Sequence, residues 1–277
     1  MIPTLTTAGL GPVGDLDTLI GLASRNGFAA VDTGPDPLSK FVAAHGIEGA
    51  REYLAAHRVR LGNLGLPVEW RKDEDTFRQG LTRLTEAAEL AVTMGCTRFG
   101  TWVLPSVEEP AHLFTLKMVR RMRVMAGILG AYGLQLAVEY VAPYHLRTLF
   151  PNPFIHDQAG MLAMIDAIDR PEVGLLLDSI HWHCAGASAA ELEQLPLDRI
   201  VHVHLNDTPA GPVEEVRDNG RVFPGEGAID LTTFLGILKR KGYSHFVALE
   251  VLTPTPPTAP AEVMAQKAAA TVLPYFA

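Results

Sequence analysis

Four side chains that could bind a metal ion each lie at the end of a short apolar run in the second half of the chain. The runs are LAVEY with Glu139, LLLDS with Asp178, IVHVHLND with His204 and FVALEV with Glu250. An ionised carboxylate in an apolar wall is costly unless it is paired, so strands that end this way usually end at a site. Three converging carboxylates would also repel one another, and a divalent cation removes that conflict.

The donor set of these four residues is three carboxylates and one imidazole. This mixture favours Mn, Mg, Co or Zn over a metal that prefers thiolates. Each carboxylate alone would be typical of a helix cap or a surface ion pair, but four in register on successive strands indicate a shared ligand. We therefore predict one divalent metal ion, with Mn favoured, and expect Ala137 and Ala248 to leave room beneath the two glutamates.

Other histidines near these runs have different expected roles. His202 lies on the same strand face as His204 but one layer deeper, which is typical of a hydrogen-bonded core histidine. His183 and His145 are expected at the rim of a pocket or on the surface. His181 follows the end of its strand, where its ring could reach a ligand oxygen or a second metal.

The segment RVFPGEGAID, residues 221–230, is a Pro/Gly loop that enters a predicted helix. In one interpretation it is an ordinary turn, with Asp230 as the N-cap of the helix. In the other, Arg221 reaches the mouth of the site and holds an oxygen-rich substrate. The segment by itself leaves both interpretations open.

The elements that must position these residues alternate along the chain between short runs rich in Val, Ile and Leu and longer segments of helical period. Several helical segments begin with Asp and end with Gly. Eight βα units predict a single-domain (β/α)8 TIM barrel over residues 1–277, with its chemistry at the carboxyl ends of the strands. An open doubly wound sheet is the alternative, but the first βα connection lacks GxGxxG. The predicted strands are Leu5 to Leu10, Ala29 to Thr33, Val59 to Leu64, Thr97 to Leu104, Leu136 to Val141, Val173 to Ile180, Ile200 to Asn206 and Phe246 to Leu252.

Composition argues against several classes of partner. The chain has 31 acidic and 23 basic residues and a formal charge of −8, which opposes binding to a polyanionic backbone, so no nucleic acid is expected. Its one basic cluster, Lys117, Arg120, Arg121 and Arg123, is predicted to be the solvated side of a helix. Two distant cysteines give no disulfide framework, and neither a signal peptide nor a membrane-spanning run is evident. We therefore expect a cytoplasmic protein with no membrane partner.

The motifs together resemble the xylose-isomerase-like barrels, which include ketose 3-epimerases, hydroxypyruvate isomerase, inosose dehydratase and dehydroshikimate dehydratase. The resemblance implies that the four strand-end residues bind one divalent metal and that His181 and Arg221 position substrate oxygens. For the epimerase branch it also implies that Glu139 and Glu250 are the acid and base on opposite faces of the substrate. The matching pieces are VEY at Glu139, DSIH from Asp178, HVHLND at His204, PGEGAID after Arg221 and ALEV at Glu250.

The expected function is therefore a divalent-metal-dependent sugar isomerase or epimerase. Its substrate would be a ketose or a related polyhydroxy carbonyl compound. The reaction would remove and return a proton through a metal-stabilised enediolate. A homo-oligomer is compatible with the sequence.

Three alternatives stay open. A dehydratase of the inosose or dehydroshikimate type would remove the same kind of proton and then lose a β-hydroxyl. The long segment TPAGPVEEVRDNG before Arg221 departs from the epimerase pattern and keeps this alternative in view. An apurinic-site endonuclease would need further histidines, but the second and third strand regions read AAVDTG and RLGNLGLP. A non-catalytic barrel subunit would be expected to lack one or more of the four ligands, and all four are present.

Overall fold

A closed barrel of eight parallel strands forms the centre of the computed structural model, which describes all 277 residues. The last strand pairs with the first, with Phe246 opposite Ile2, and so closes the ring. The single-domain (β/α)8 barrel predicted from the sequence is confirmed. The barrel strands are Ile2–Leu5, Ala30–Thr33, Arg60–Gly65, Arg98–Val103, Gln135–Tyr140, Val173–Asp178, Ile200–Leu205 and Phe246–Leu249.

Helices surround the barrel, and one small antiparallel sheet pairs Ser106–Val107 with Asn152–Pro153. The predicted Asp caps are present: four Asp side chains, at positions 15, 73, 157 and 230, each accept the backbone N–H three residues on. The α-helices are Leu16–Arg25, Pro35–His57, Glu74–Thr93, Ala111–Ala131, Tyr144–Arg147, Gln158–Ile168, Ser179–Cys184, Ala189–Gln194, Leu231–Lys241 and Ala261–Val272. Short 3-10 turns lie at Leu197–Arg199, Val213–Glu215 and Leu273–Phe276. No helix is both long enough and apolar enough to cross a membrane.

The first strand lies earlier than the sequence analysis placed it. The prediction was Leu5 to Leu10, but the strand is Ile2–Leu5. Beyond it the hydroxyl of Thr6 accepts the N–H of Ala8, and Gly9 has a φ of 79°, a left-handed conformation that ends the extended backbone. The prediction was wrong because Leu10 is fully buried in a loop, where it has the same apolar signature as a strand residue.

Two later strands are shorter than predicted. The sixth ends at Asp178, two residues before the predicted end, because the Asp178 side chain accepts the N–H of Ile180 and starts the helix Ser179–Cys184. The eighth ends at Leu249 rather than at residue 252. In both cases the chain turns just where the barrel opens, so the side chains at these ends face a site rather than a continuing sheet.

One member of the predicted basic cluster is buried. Arg121 is 3% exposed and donates to the carbonyl oxygens of Trp70 and Lys72 and to the carboxylate of Glu74. The prediction of a fully solvated cluster is therefore wrong for this residue. Its guanidinium instead fixes the loop after the third strand against the helix Ala111–Ala131.

Candidate functional site

The four predicted ligands meet at the carboxyl end of the barrel. One ligand atom from each lies within 4.8 Å of those from the other three. The Nδ1 atom of His204 lies 3.1 Å from Glu250 Oε2, 3.3 Å from Glu139 Oε1 and 3.8 Å from Asp178 Oδ2. The closed barrel thus brings together four residues from four successive strands, as their positions at strand ends predicted.

A cavity of about 620 Å³ opens beside this cluster. Three of the predicted ligands, Glu139, His204 and Glu250, line it, whereas Asp178 is fully buried behind them. The rest of the wall comes mainly from the first four strands and the loops after them. The volume of the cavity is in the range found for small-molecule binding sites in proteins.

Two facing atoms of the cluster lie close together without forming a hydrogen bond. Glu139 Oε1 and His204 Nδ1 are buried and make no hydrogen bond, although buried polar groups are nearly always hydrogen-bonded. A divalent cation would satisfy both atoms. The donor types and these two unpartnered atoms therefore fit a metal ion held by carboxylates and one imidazole.

The two glutamates differ in their electrostatic surroundings. Burial raises the pKa of Glu139, and His204 opposes this rise only in part. Burial also acts to raise the pKa of Glu250, but His204 and Arg221 outweigh it and hold that pKa well below its usual range. Burial acts to lower the pKa of His204, yet the Glu250 and Glu139 carboxylates hold it well above its usual value. Without a cation, the cluster therefore combines a protonated imidazole with an ionised Glu250.

Asp178 is the most firmly held carboxylate of the four. It accepts hydrogen bonds from the Ile180 N–H at 2.7 Å, from the Asn206 side-chain amide at 3.0 and 3.1 Å, and from Arg221 Nη1 at 2.9 Å. Asn206 is itself fixed, because its Oδ1 accepts the Ser179 hydroxyl at 3.1 Å. These contacts hold Asp178 in one orientation, suited to a ligand and not to a mobile base.

Arg221 lies behind the predicted ligands and is only 3% exposed. Its Nη1 donates to Asp178 at 2.9 Å and to Glu250 at 2.8 Å, and its Nη2 donates to Asp218 at 2.8 Å. Burial acts to lower the pKa of Arg221, but these three carboxylates raise it well above its usual value. The guanidinium thus orients two predicted ligands. It does not line the cavity, and its direct contact with substrate stays a prediction.

His181, in the helix Ser179–Cys184, is also buried, at 1% exposure. Its Nδ1 accepts the N–H of Ala142 at 3.5 Å, and its Nε2 lies 3.8 Å from Asp218 without a hydrogen-bond partner. No carboxylate of the metal-ligand set lies within 4.0 Å of its ring nitrogens, so its substrate-binding role stays a prediction. His183 and His145 are partly exposed, as expected, and neither lines the cavity.

A buried aspartate that sequence reasoning did not single out organises the loop that carries Arg221. Asp207 accepts four backbone N–H groups, from Thr208 at 2.8 Å, Gly225 and Gly227 at 3.0 Å each, and Ile229 at 2.9 Å. A Cβ at Gly227 would lie 2.1 Å from the Thr208 carbonyl oxygen. The glycines of PGEGAID are therefore needed for the conformation of this loop, and the final Asp of HVHLND, Asp207, holds the loop through these hydrogen bonds.

A second buried pair lies next to His204. His202 Nε2 is 2.7 Å from Asp32 Oδ2, and Asp32 Oδ1 accepts the N–H of Asn63 at 2.7 Å. His202 is fully buried, which confirms the predicted hydrogen-bonded core histidine. Asp32 lines the cavity and was missed, because a single Asp inside a short strand has no periodic signal. Gly62 makes room for it, since a Cβ there would lie 2.3 Å from Asp32 Oδ1.

The cavity wall contributed by the first four strands contains one guanidinium and one indole that sequence reasoning also missed. Arg71 follows the third strand, and Trp102 lies in the fourth. The Arg71 guanidinium lies 3.7 Å from the centre of the Trp102 ring. Both residues sit outside the strand-end pattern on which the prediction was based.

Comparison with known proteins assigns the family. A model of the xylose isomerase-like TIM barrel family matches residues 20–272, nearly the whole chain. The chain belongs to the xylose isomerase-like TIM barrel family. The resemblance drawn from the strand-end motifs is thus confirmed.

Individual relatives of this family member extend the comparison. Inosose isomerase of Halalkalibacterium halodurans is 26% identical over 235 residues, which is 83% of this chain and 80% of that protein. The structure of a xylose isomerase domain protein from Alicyclobacillus acidocaldarius is 32% identical, with a TM-score of 0.91 and coverage of 99% of this chain and 98% of that one. The IolI protein, whose crystal structure contains a zinc atom, is 24% identical with a TM-score of 0.84, over 99% of this chain and 98% of that one, and shows the shared fold.

Proposed function

We propose that the protein is a divalent-metal-dependent isomerase or epimerase of a ketose or related polyhydroxy carbonyl compound. The observation that carries this proposal is the division of the carboxylates by access. Glu139 and Glu250 line the cavity on either side of His204, while Asp178 is fully buried and hydrogen-bonded on both oxygens. Two carboxylates can therefore reach a substrate carbon, and the third serves to hold the cation.

The residues that would hold the ion are Glu139, Asp178, His204 and Glu250. A bound divalent cation supplies charge that polarises the substrate's carbonyl oxygen and acidifies the adjacent C–H bond. Mn is the ion we favour, and the zinc atom in the IolI structure makes Zn the second candidate.

The two glutamates are suited to opposite proton transfers. Arg221 Nη1 donates to Glu250 Oε2 at 2.8 Å and so favours the ionised form of Glu250, one oxygen of which can accept the proton from carbon. Glu139 lines the cavity from a different strand, and after taking a proton from solvent it can donate that proton to the substrate from the other side. Delivery of a proton to the same carbon from the opposite face gives epimerisation. Delivery to the former carbonyl carbon, with the hydroxyl proton of the enediolate moving to the other oxygen, gives isomerisation.

The alternative is a dehydratase, in which the same deprotonation is followed by loss of a β-hydroxyl. The similarity of this chain to inosose isomerase favours the isomerase reaction over the dehydratase reaction. The two reactions differ in their products, since only the dehydratase releases water and leaves a carbon–carbon double bond.

A product screen tests the proposal. Ketoses, inososes and dehydroshikimate are incubated with Mn-loaded protein in deuterated water, and the products are identified by NMR. We expect an isomer or epimer that carries solvent deuterium at the reacting carbon. Loss of a hydroxyl would establish the dehydratase instead, and product without solvent label would rule out exchange through the two glutamates.

Matched variants make the screen specific. Glu250→Gln should stop deuterium incorporation, whereas Glu193→Gln, which changes an exposed helical glutamate paired with Arg240, should not. Equal activity of the two variants would contradict the assignment of Glu250 as the base.

A further inference from the structure

The cavity contains one guanidinium that forms no salt bridge with a carboxylate of the protein. The guanidinium belongs to Arg71, and the charge of Glu69, on the same cavity wall, acts on it without a salt-bridge contact. Arg221, by contrast, contacts three carboxylates. A partly buried cation without an anionic partner is costly unless a ligand supplies one.

The hydrogen bonds of Arg71 leave donors free. Its Nη2 donates to the hydroxyl of Thr101 at 3.2 Å and to the carbonyl oxygen of Trp102. Its Nε is buried without a partner, and its Nη1 makes no hydrogen bond within the protein. The guanidinium of Arg71 therefore has N–H groups without an acceptor on two of its three nitrogens. Guanidinium groups bind most strongly when such N–H groups are paired with anionic oxygens.

The position of the guanidinium is fixed by its neighbours. It lies 3.7 Å from the centre of the Trp102 ring and 4.5 Å from that of Trp70. The Trp70 indole and Arg71 both donate to the Thr101 hydroxyl, at 3.0 and 3.2 Å. Burial lowers the pKa of Arg71 to about 10, so the group is still charged at neutral pH. Such a pre-positioned cation loses little side-chain freedom when it binds an anion.

We propose that Arg71 forms an anion subsite and that the substrate carries a carboxylate or phosphate group away from its reacting carbons. This inference rests on the proposed function, in which the same cavity holds the substrate beside Glu139 and Glu250. The metal ion and the carboxylates that hold it would bind the carbonyl end of the substrate, and Arg71 would bind its anionic end. Asp32, on the same wall, is already engaged by His202 and Asn63 and adds no free partner for Arg71.

Calorimetric titration of Mn-loaded protein with three six-carbon probes tests the subsite without requiring turnover. The probes are D-gluconate, D-glucitol 6-phosphate and neutral D-glucitol. Arg71→Met should weaken binding of at least one anionic probe by roughly 10-fold or more, the effect of one charge-assisted contact, and change D-glucitol binding by less than about 2-fold. If Arg71→Met weakens the binding of gluconate alone, the substrate is a sugar acid. If it weakens the binding of D-glucitol 6-phosphate alone, the substrate is a sugar phosphate.

The neighbouring residue provides the control. Lys72→Met removes the same charge from an exposed position one residue away and should leave all three affinities unchanged. Arg71→Lys should restore part of the anion preference, and the metal content and melting temperature of each variant verify that the fold is intact. Equal losses for charged and neutral probes in Arg71→Met, or no saturable binding of either anion by the wild type, would overturn the proposal. Because binding is read apart from turnover, either result would leave the proton-transfer proposal to its own deuterium test.

Discussion

The Asp207→Asn substitution tests how the loop that carries Arg221 is held. Asp207 is fully buried, and each of its oxygens accepts two backbone N–H groups. An Asn amide nitrogen must replace one oxygen, so in either orientation two acceptor contacts are lost and two N–H groups face a donor. A hydrogen bond to a charged group contributes roughly 1.5–3 kcal/mol, so the expected loss of unfolding free energy is about 3–6 kcal/mol.

Urea unfolding followed by circular dichroism measures this loss. Asp73→Asn is the control, because it removes the same charge from an exposed helix N-cap, where Asn caps about as well as Asp. We expect the control to change stability by less than about 0.5 kcal/mol. A change below about 1 kcal/mol for Asp207→Asn, less than one lost hydrogen bond to a charged group, would refute the argument that this carboxylate organises the loop.

Further predictions concern the metal and the proton transfers. Glu139→Gln and Glu250→Gln keep an oxygen ligand but remove a proton acceptor, so metal should be retained while solvent deuterium exchange falls roughly 10²-fold or more; full exchange in both would end the two-glutamate scheme. Asp178→Asn should instead weaken metal binding, as measured by equilibrium dialysis, and excess Mn should partly restore activity. Because the pKa of His204 is raised without a cation, metal binding at pH 7 should release about one proton and affinity should increase with pH. Calorimetry in two buffers counts the proton, and retention of metal unchanged down to about pH 4, below the ~6.5 reference pKa of His, would contradict His204 as a ligand.

The barrel and the convergence of the four predicted ligands could be predicted because both follow from local pattern. Eight βα alternations fit one closed topology, and parallel barrel strands place their carboxyl ends at one mouth. Glu139, Asp178, His204 and Glu250 therefore had to converge once the strands were assigned. The position of the first strand was predicted wrongly, because Leu10 is buried by tertiary packing in a loop.

The other parts of the site depend on contacts between segments distant in sequence. The role of Arg71 depends on its contact with Trp102, 31 positions later in the chain. The role of Asp32 depends on its contact with His202, 170 positions later. Arg221 was expected to reach the mouth of the site, whereas its contacts with Asp178 and Glu250 hold the guanidinium behind the cavity. Periodicity within one segment carries none of this information.

Anomalous diffraction from crystals of Mn-loaded protein tests the central claim most directly. We predict one strong Mn peak at the barrel mouth, within roughly 2.0–2.6 Å of ligand atoms from Glu139, Asp178, His204 and Glu250. Asp32, His202 and His204 form the other group of ligand atoms close enough to hold an ion. A peak at that second group with both glutamates unbound, or no peak at saturating Mn, would contradict the account.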